Sequence, residues 1–360
     1  MSKILYVASG MRHINNFHIP YITRLREDGH TVKIMASGEG AHYDIPFVKS
    51  MLSLKNLFLQ RKIRRIVKKE KFDAVILNTT LAAFHVRMAL PKKHRPRVLN
   101  IVHGYLFSEG DRGIKARILL FCEKLLRKKT DVIAVMNAED ERIATENRLS
   151  LDGVIMTLGM GAVASEQKLD CDYIRRYTDT EGKFVISFVG ELSERKNQRF
   201  LICALPEIKI SIPNAVLVLV GEGAEENELR NPAEKLGVAD SVRFVGQKTN
   251  PCDFMRASDL YASVSEIEGM PFNLIEALGC GVPILASNAK GHTDLIDDGE
   301  DGYLYERGCS AEFISRVKAF AIGDASVDSE HQAAKYKKYS FEEVFPKTYR
   351  VIKDFCDDKS

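Results

Sequence analysis

SEIEGMPFNLIEALGCGVPILAS, residues 265–287, reads as one short helix between two strands. Pro271 suits a first helical turn, and Gly279 and Gly281 suit a helix end. LYASVS (260–265) and VPILAS (282–287) flank it as apolar strand candidates. Working outward, KFVISFVG (183–190), AVLVLVG (215–221) and SVRFVG (241–246) continue the strand series. An earlier series runs through KILYVAS (3–9), TVKIMAS (31–37), FDAVILN (72–78), RVLNIVH (97–103), TDVIAVM (130–136) and GVIMTLG (153–159). Helical stretches separate most of these runs. Such alternation predicts an α/β chain built from two successive doubly wound, Rossmann-like parallel sheets, with ligands outside the carboxyl ends of the strands.

The expected boundaries are a first domain over 1–163, a second over 164–339 and a terminal segment, 340–360, whose helix returns to the first domain. SFEEVFPKTYRVIKDF (340–355) reads as that helix, interrupted by Pro346. A length of 360 residues agrees with about two domains. No apolar run reaches the ~18 residues of a membrane span, and the N-terminus reads as a first strand instead of a signal peptide. A cytoplasmic protein is therefore expected. The seven cysteines are scattered without a C-x-x-C pair, which argues against a disulfide framework or a zinc-cysteine site.

The opening stretch also carries carboxylates that an apolar helix does not need. Glu268 and Glu276 have seven residues between them, and Asn273 shares a helix face with Glu276. Burying a charge is costly unless something satisfies it. A helix start beside the Gly269 loop can bind an anion, so a sugar nucleotide suits the arrangement: diphosphate at the helix start, ribose diol on Glu276, sugar hydroxyls facing Glu268. The same spacing also fits a carboxylate paired with a core arginine. In FVGELSERKNQ (188–198), Arg195 and Lys196 follow the Gly190 turn and precede a helix, where they can neutralise a pyrophosphate or form a solvated helix start. GMGAVA (159–164) fits a dinucleotide fingerprint but opens no clear helix, so a hinge is expected there. Asp170 and Asp172 form a D-x-D pair that reads as solvated linker.

Together, Glu268 and Glu276 within residues 265–287, Lys196 within VGELSERKN, and DLIDDGEDGYLY (294–305) resemble the retaining nucleotide-sugar glycosyltransferases of family 4. HIPYITRLREDGHTV after the first strand and IVHGYLFSEG extend the resemblance to the first half, on the side of bacterial capsule, exopolysaccharide and O-antigen synthesis. The resemblance implies a GT-B fold, with two Rossmann-like domains facing a central cleft. It implies a hexosyl- or N-acetylhexosaminyl-transferase taking a nucleotide-sugar donor, UDP-linked by commonest expectation, and a lipid-linked saccharide acceptor. In that family pattern Lys196 contacts the donor diphosphate, Glu276 the ribose and Glu268 a sugar hydroxyl. The backbone of Gly269, Met270 and Pro271 lies near phosphate and sugar, with Gly190, Arg195 and Asn273 in the same donor set. His103 lines the donor sugar from the first domain. The polar loop GMRHINNFH (10–18), with Gly10, Arg12, His13, Asn15 and His18, faces the acceptor. Catalysis falls to Glu268, His103 and Lys196, with the β-phosphate oxygen receiving the acceptor proton. No metal or other cofactor is expected, since Lys196, Arg195 and the helix end take a metal's place.

The sequence departs from the family pattern at two places. Glu191 stands where an arginine is usual, and Arg195 is the candidate replacement. Gly10-Met11-Arg12 stands where a Gly-Gly loop is usual. Glu191 keeps open a catalytically silent sugar-nucleotide-binding subunit, and a nucleotide-sugar epimerase is a further alternative on the same fold.

Charge is uneven. Residues 1–170 carry about 29 Lys+Arg against about 17 Asp+Glu, although the whole chain is only +3. Two basic amphipathic helices are predicted, at 54–72 and 113–130. They suit peripheral docking on an anionic membrane, at the inner face of the cytoplasmic membrane if the acceptor is lipid-linked. A solvated helix face explains the same pattern. Nucleic-acid binding is disfavoured, because no aromatic residues interleave with the charge.

Overall fold

The computed structural model describes residues 1–48, 53–91 and 93–358. The last two residues of the expected terminal segment, 359 and 360, lie outside the described residues. The chain divides into two compact units, Met1–Met160 with Val344–Ser360, and Gly161–Glu343.

The first unit contains β1 (Lys3–Gly10), α1 (Met11–Phe17), α2 (Ile19–Glu27), β2 (Thr31–Ser37), β3 (Tyr43–Asp44), α3 (Leu54–Glu70), β4 (Ala74–Leu77), α4 (Thr80–Ala89), β5 (Arg97–Ile101), α5 (Ile114–Leu126), β6 (Val132–Val135), α6 (Ala138–Glu146) and β7 (Gly153–Met156). Its strands are all parallel, in the order β3-β2-β1-β4-β5-β6-β7. The second unit contains α7 (Cys171–Tyr177), β8 (Phe184–Val189), α8 (Gln198–Ser211), β9 (Ala215–Val220), α9 (Glu226–Lys235), β10 (Val242–Gly246), α10 (Cys252–Arg256), β11 (Leu260–Ser263), α11 (Phe272–Cys280), β12 (Ile284–Ser287), β13 (Tyr303–Tyr305), α12 (Ser310–Ile322) and α13 (Ser329–Tyr339). Its parallel order is β10-β9-β8-β11-β12-β13. A last helix, α14, spans Phe341–Asp357.

Buried parallel strands need apolar residues on both faces, and these strands supply them. Leu5, Val7, Val75, Leu77 and Val98 pack against Ile63, Val67 and Val86 of α3 and α4 in the first unit. Ile186, Phe188, Leu217, Leu219 and Leu260 pack against Leu201, Leu205 and Ile208 of α8 in the second. Strand order reverses at β1, between β2 and β4, and at β8, between β9 and β11. Those two switch points are where loops diverge to opposite faces of a sheet and leave a crevice.

Four expectations are corrected. GMRHINNFH is not a loop: Met11–Phe17 is helical, because burial of Met11 and Ile14 on one face outweighs the weak propensities of His and Asn. α14 runs through Pro346 without a break. Its buried face, including Val344, Tyr349, Ile352 and Phe355, outweighs a proline cost of about 3 kcal/mol. Thr348 Oγ1 further donates to Gly159 O at 2.8 Å, and Tyr349 Oη to Asp28 Oδ2 at 2.9 Å. The two edge strands β3 and β13 were not among the expected strands. The Asp170/Asp172 pair, expected as solvated linker, instead opens α7: Asp170 is its N-cap, accepting from Asp172 N at 2.8 Å. GMGAVA spans the passage between the units, with Gly159 and Gly161 at φ +83° and +75°.

Candidate active site

Strand order assembles the site in the second unit. β11 pairs with β8 on one side and β12 on the other, so the loops that follow these three strands lie side by side. Glu266 N donates to Arg195 O at 2.9 Å, and Glu268 N to Lys290 O at 3.3 Å. Asn197 Nδ2 donates to Glu266 Oε1 at 2.6 Å.

The first loop is held tightly. Gly190 and Gly221 cross so closely that a Cβ on Gly221 would sit 1.9 Å from Gly190 O, and Gly221 has φ +144°. Only glycine fits there. Gln198 Nε2 donates to Glu191 O at 2.8 Å, and Asn197 turns the chain into α8 at φ +55°. Arg195 and Lys196 are thereby fixed on the inner side of this turn, while Glu191 is exposed.

Both cations meet Glu268. Lys196 Nζ lies 2.7 Å from Glu268 Oε1, and Arg195 Nη1 lies 2.7 Å from Glu268 Oε2. Arg195 Nη1 also donates to Ile267 O at 3.0 Å. Lys196 and Glu268 are both buried. Burial pushes the Glu268 carboxyl up, but Lys196 and then Arg195 pull it further down, to about 2. It is ionised at neutral pH.

His292, which the sequence reading did not single out, supports this cluster from behind. It is fully buried, with Nδ1 at 2.9 Å from Ser287 O and Nε2 at 3.0 Å from Ser263 Oγ. A carbonyl only accepts, so Nδ1 carries the proton and Nε2 accepts from Ser263. Burial lowers its pKa to about 4, so the ring is neutral. It ties the 288–293 loop to the ends of β11 and β12. Gly291, at φ +83°, lets that loop press on the Glu268 loop: a Cβ there would be 2.7 Å from Gly269 O. The sequence signal was a lone buried-type histidine after a strand, indistinguishable from a core residue.

α11 begins at Phe272 with Pro271 as N-cap and no side-chain cap on its positive end. Met270 and Pro271 are buried at that entry. Asn273 Nδ2 donates to Val189 O at 2.7 Å and to Tyr261 Oη at 2.8 Å, anchoring the helix to β8 and β11. Its amide nitrogen is thus engaged inside the fold. One turn later, Glu276 has no hydrogen bond or ion pair among the described residues. Burial, with a small addition from Cys252, pushes its carboxyl up to about 8. The core-arginine alternative does not hold for Glu276: the carboxylate that pairs with an arginine is Glu268.

The remaining expected site residues lie in the first unit. Gly10 ends β1, and Arg12 and Asn15 are exposed on α1. His13, His18 and His103 cluster at the carboxyl edge of β1 and β5. His18 is fully buried, its Nδ1 3.0 Å from Tyr6 Oη and its Nε2 3.1 Å from His13 Nε2. The His103 ring stands edge-on to both others, with centroids 4.8 Å from His13 and 5.2 Å from His18.

Residues 172–339 match the family model described as Glycosyl transferases group 1, and residues 21–151 match that of Glycosyltransferase Family 4. The Bacillus subtilis (strain 168) protein named "Putative glycosyltransferase EpsD" is 28% identical over 330 residues, covering 88% of this chain and 86% of that protein. The UDP-Gal:alpha-D-GlcNAc-diphosphoundecaprenol alpha-1,3-galactosyltransferase of Escherichia coli is 26% identical over 282 residues, covering 76% and 71%. Among solved structures, Anabaena Alr3699/HepE in complex with UDP-glucose superposes with a TM-score of 0.76 at 19% identity, covering 98% of this chain and 100% of that one. Sucrose-phosphate synthase from Thermosynechococcus elongatus gives 0.78 at 16% identity, covering 98% and 99%. These two likenesses bear on the fold, which is GT-B. With both halves of the chain matched to glycosyltransferase models and the fold in agreement, the chain belongs to the family 4 glycosyltransferases and is an enzyme of glycosyl transfer.

Proposed function

We propose that this enzyme transfers a sugar, with retention of configuration, from a UDP-sugar to a lipid-linked saccharide at the inner face of the cytoplasmic membrane. The observation that carries the donor half is the contrast inside one site: two cations gathered on Glu268, and an unpaired Glu276 beside an uncapped helix start. In this reading Lys196 and Arg195 turn from Glu268 to the diphosphate and stabilise the leaving group as its charge develops. The backbone from Gly269 to Pro271 and the α11 dipole assist them. Glu276 accepts the ribose hydroxyls, which satisfy a carboxylate that the protein leaves without a partner. Glu268, released from both cations, meets a sugar hydroxyl. Asn273 fixes the helix that presents Glu276. His103 faces the donor sugar, and α1 offers Gly10, Arg12 and Asn15 to the acceptor. No metal takes part at the diphosphate, where Lys196 and Arg195 supply the positive charge.

The names of two relatives support the choice of substrates. The Escherichia coli enzyme is named for UDP-galactose and a diphosphoundecaprenol-linked acceptor, and the Anabaena structure holds UDP-glucose. The membrane half rests on α5. Ile114, Ile118, Phe121 and Leu125 form one exposed apolar stripe, flanked by exposed Lys115, Arg117, Lys124 and Lys128. α3 repeats this with exposed Leu54, Leu57 and Phe58 beside Arg61 and Lys62. Apolar stripe and basic flanks together suit an anionic lipid surface.

The donor test is a melting-temperature panel of UDP-, GDP- and dTDP-sugars with and without Mg2+. A rise with UDP-sugars that Mg2+ does not alter is expected; stabilisation by another base, or none without Mg2+, overturns the donor assignment. For the membrane, sedimentation with phosphatidylglycerol vesicles should capture the wild type and lose at least about tenfold in affinity in Ile118→Asp/Phe121→Asp. Equal capture of both proteins removes α5 from the interface.

A further inference from the structure

The three histidines of the first unit do more than pack. One ring nitrogen from each of His13, His18 and His103 lies within 4.8 Å of the other two. The Nε2 atoms of His13 and His18 are 3.1 Å apart. Two imidazole nitrogens on one tetrahedral ion, at bonds of ~2.05 Å, stand about 3.3 Å apart. The outer sides of these two rings are held as metal-bound histidines usually are. His18 Nδ1 faces Tyr6 Oη at 3.0 Å, and His13 bonds the main chain of Asn78. The third ring carries the unexplained atom: His103 Nε2 is buried and has no hydrogen-bond partner among the described residues. A buried imidazole nitrogen without a partner, on one of three clustered histidine rings, is a polar atom without an occupant.

We propose that His13, His18 and His103 bind one divalent transition-metal ion of the zinc class, with three nitrogen ligands and an open fourth position. This inference stands on the geometry of the first unit and does not rest on the proposed donor or acceptor. Burial keeps all three rings in the neutral form that binds metal. The incoming ion replaces the proton shared by the two Nε2 atoms. That proton belongs to His18 and is taken up at its Nδ1, with the Tyr6 hydroxyl turning from donor to acceptor. The site would clamp α1 and the α1–α2 junction to the end of β5. A second cluster, Asp297, Glu300 and His331, is exposed and already has the Lys335 ammonium against Asp297 and Asp301, so it serves as the control.

The test loads full-length, chelator-stripped protein with Zn2+, dialyses it, and measures zinc per chain by elemental analysis. The expected result is one equivalent in the wild type and in His331→Gln, and at least a tenfold loss in His13→Gln/His103→Gln. Unchanged uptake in that double variant, or none in the wild type, overturns the proposal. A Co2+ titration of the wild type keeps the test independent of how the variant folds. A visible ligand-field band that saturates at one equivalent and is displaced by Zn2+ is expected; its absence overturns the proposal.

Discussion

Glu268 and Glu276 sit on one continuous loop and helix, the first buried and the second half-buried, yet their carboxyls shift in opposite directions. Glu268 falls to about 2 and Glu276 rises to about 8. The difference is made by the neighbouring strand. β8 lies beside β11, so the loop carrying Arg195 and Lys196 reaches Glu268, whereas no cation among the described residues pairs with Glu276 one turn into α11. The comparison separates a charge already satisfied by the protein from one left for a ligand to satisfy. Stability responds accordingly. Glu268, depressed in the folded state, contributes stability above its unfolded value of about 4.5 that is lost as pH falls towards 2. Glu276, raised in the folded state, favours folding below about 4.5, and that contribution is lost as pH rises through 8.

The largest expected effect comes from removing the unsatisfied charge. Glu276→Gln should gain on the order of 4 kcal/mol of stability relative to wild type between pH 4.5 and pH 9, read by equilibrium denaturation. A stability difference that does not vary with pH would mean that Glu276 ionises freely. Glu268→Gln should do the reverse, costing about 3 kcal/mol at pH 7 by leaving Lys196 and Arg195 without their counter-ion. That deficit should shrink as pH falls towards 2; a deficit constant with pH would break the pairing argument. Lys196→Ala should lower turnover at least tenfold, about 1.4 kcal/mol in barrier. Wild-type turnover in this variant removes the diphosphate assignment. The smallest effect sharpens the comparison from the ligand side. UDP-sugar affinity should rise severalfold, about 1 kcal/mol, between pH 6.5 and 8.5 as Glu276 ionises, and the rise should vanish in Glu276→Gln. A pH-independent affinity in wild type would detach Glu276 from the ribose.

Much of this architecture is legible in the sequence because buried parallel strands must be apolar on both faces. Runs such as AVLVLVG and KILYVAS announce themselves that way, whereas β7 and β10 are apolar in sequence although they lie largely exposed or half-buried at sheet edges. β3 and β13 are two and three residues long at sheet edges, too short to show a pattern. α1 is hidden because its residues are poor helix formers, and the burial of Met11 and Ile14 that decides the matter is tertiary. The candidate site was legible as separate motif residues. That Arg195 and Lys196 close on Glu268 was not, since it depends on which strands are neighbours. The same applies to His292, which holds Ser263 and Ser287 from two strands, and to the histidines, whose meeting requires β1, α1 and β5 at one edge. The proline in α14 misled because its cost is local while the gain from the buried face is distributed along the helix.

The membership of α14 has a consequence for how the chain is made. Residues 344–358 complete the unit that residue 1 begins, and Ser2 Oγ donates to Cys356 O at 2.8 Å. The second unit is therefore an insertion in the first, and the ribosome finishes it earlier. Throughout its synthesis the first unit waits with the seat for Tyr349, Ile352 and Phe355 uncovered. A nascent chain in that state offers apolar surface to holdase chaperones, and release of the polypeptide closes the seat. Stop codons placed just before α14 should therefore be far more damaging to soluble yield than their few missing residues imply.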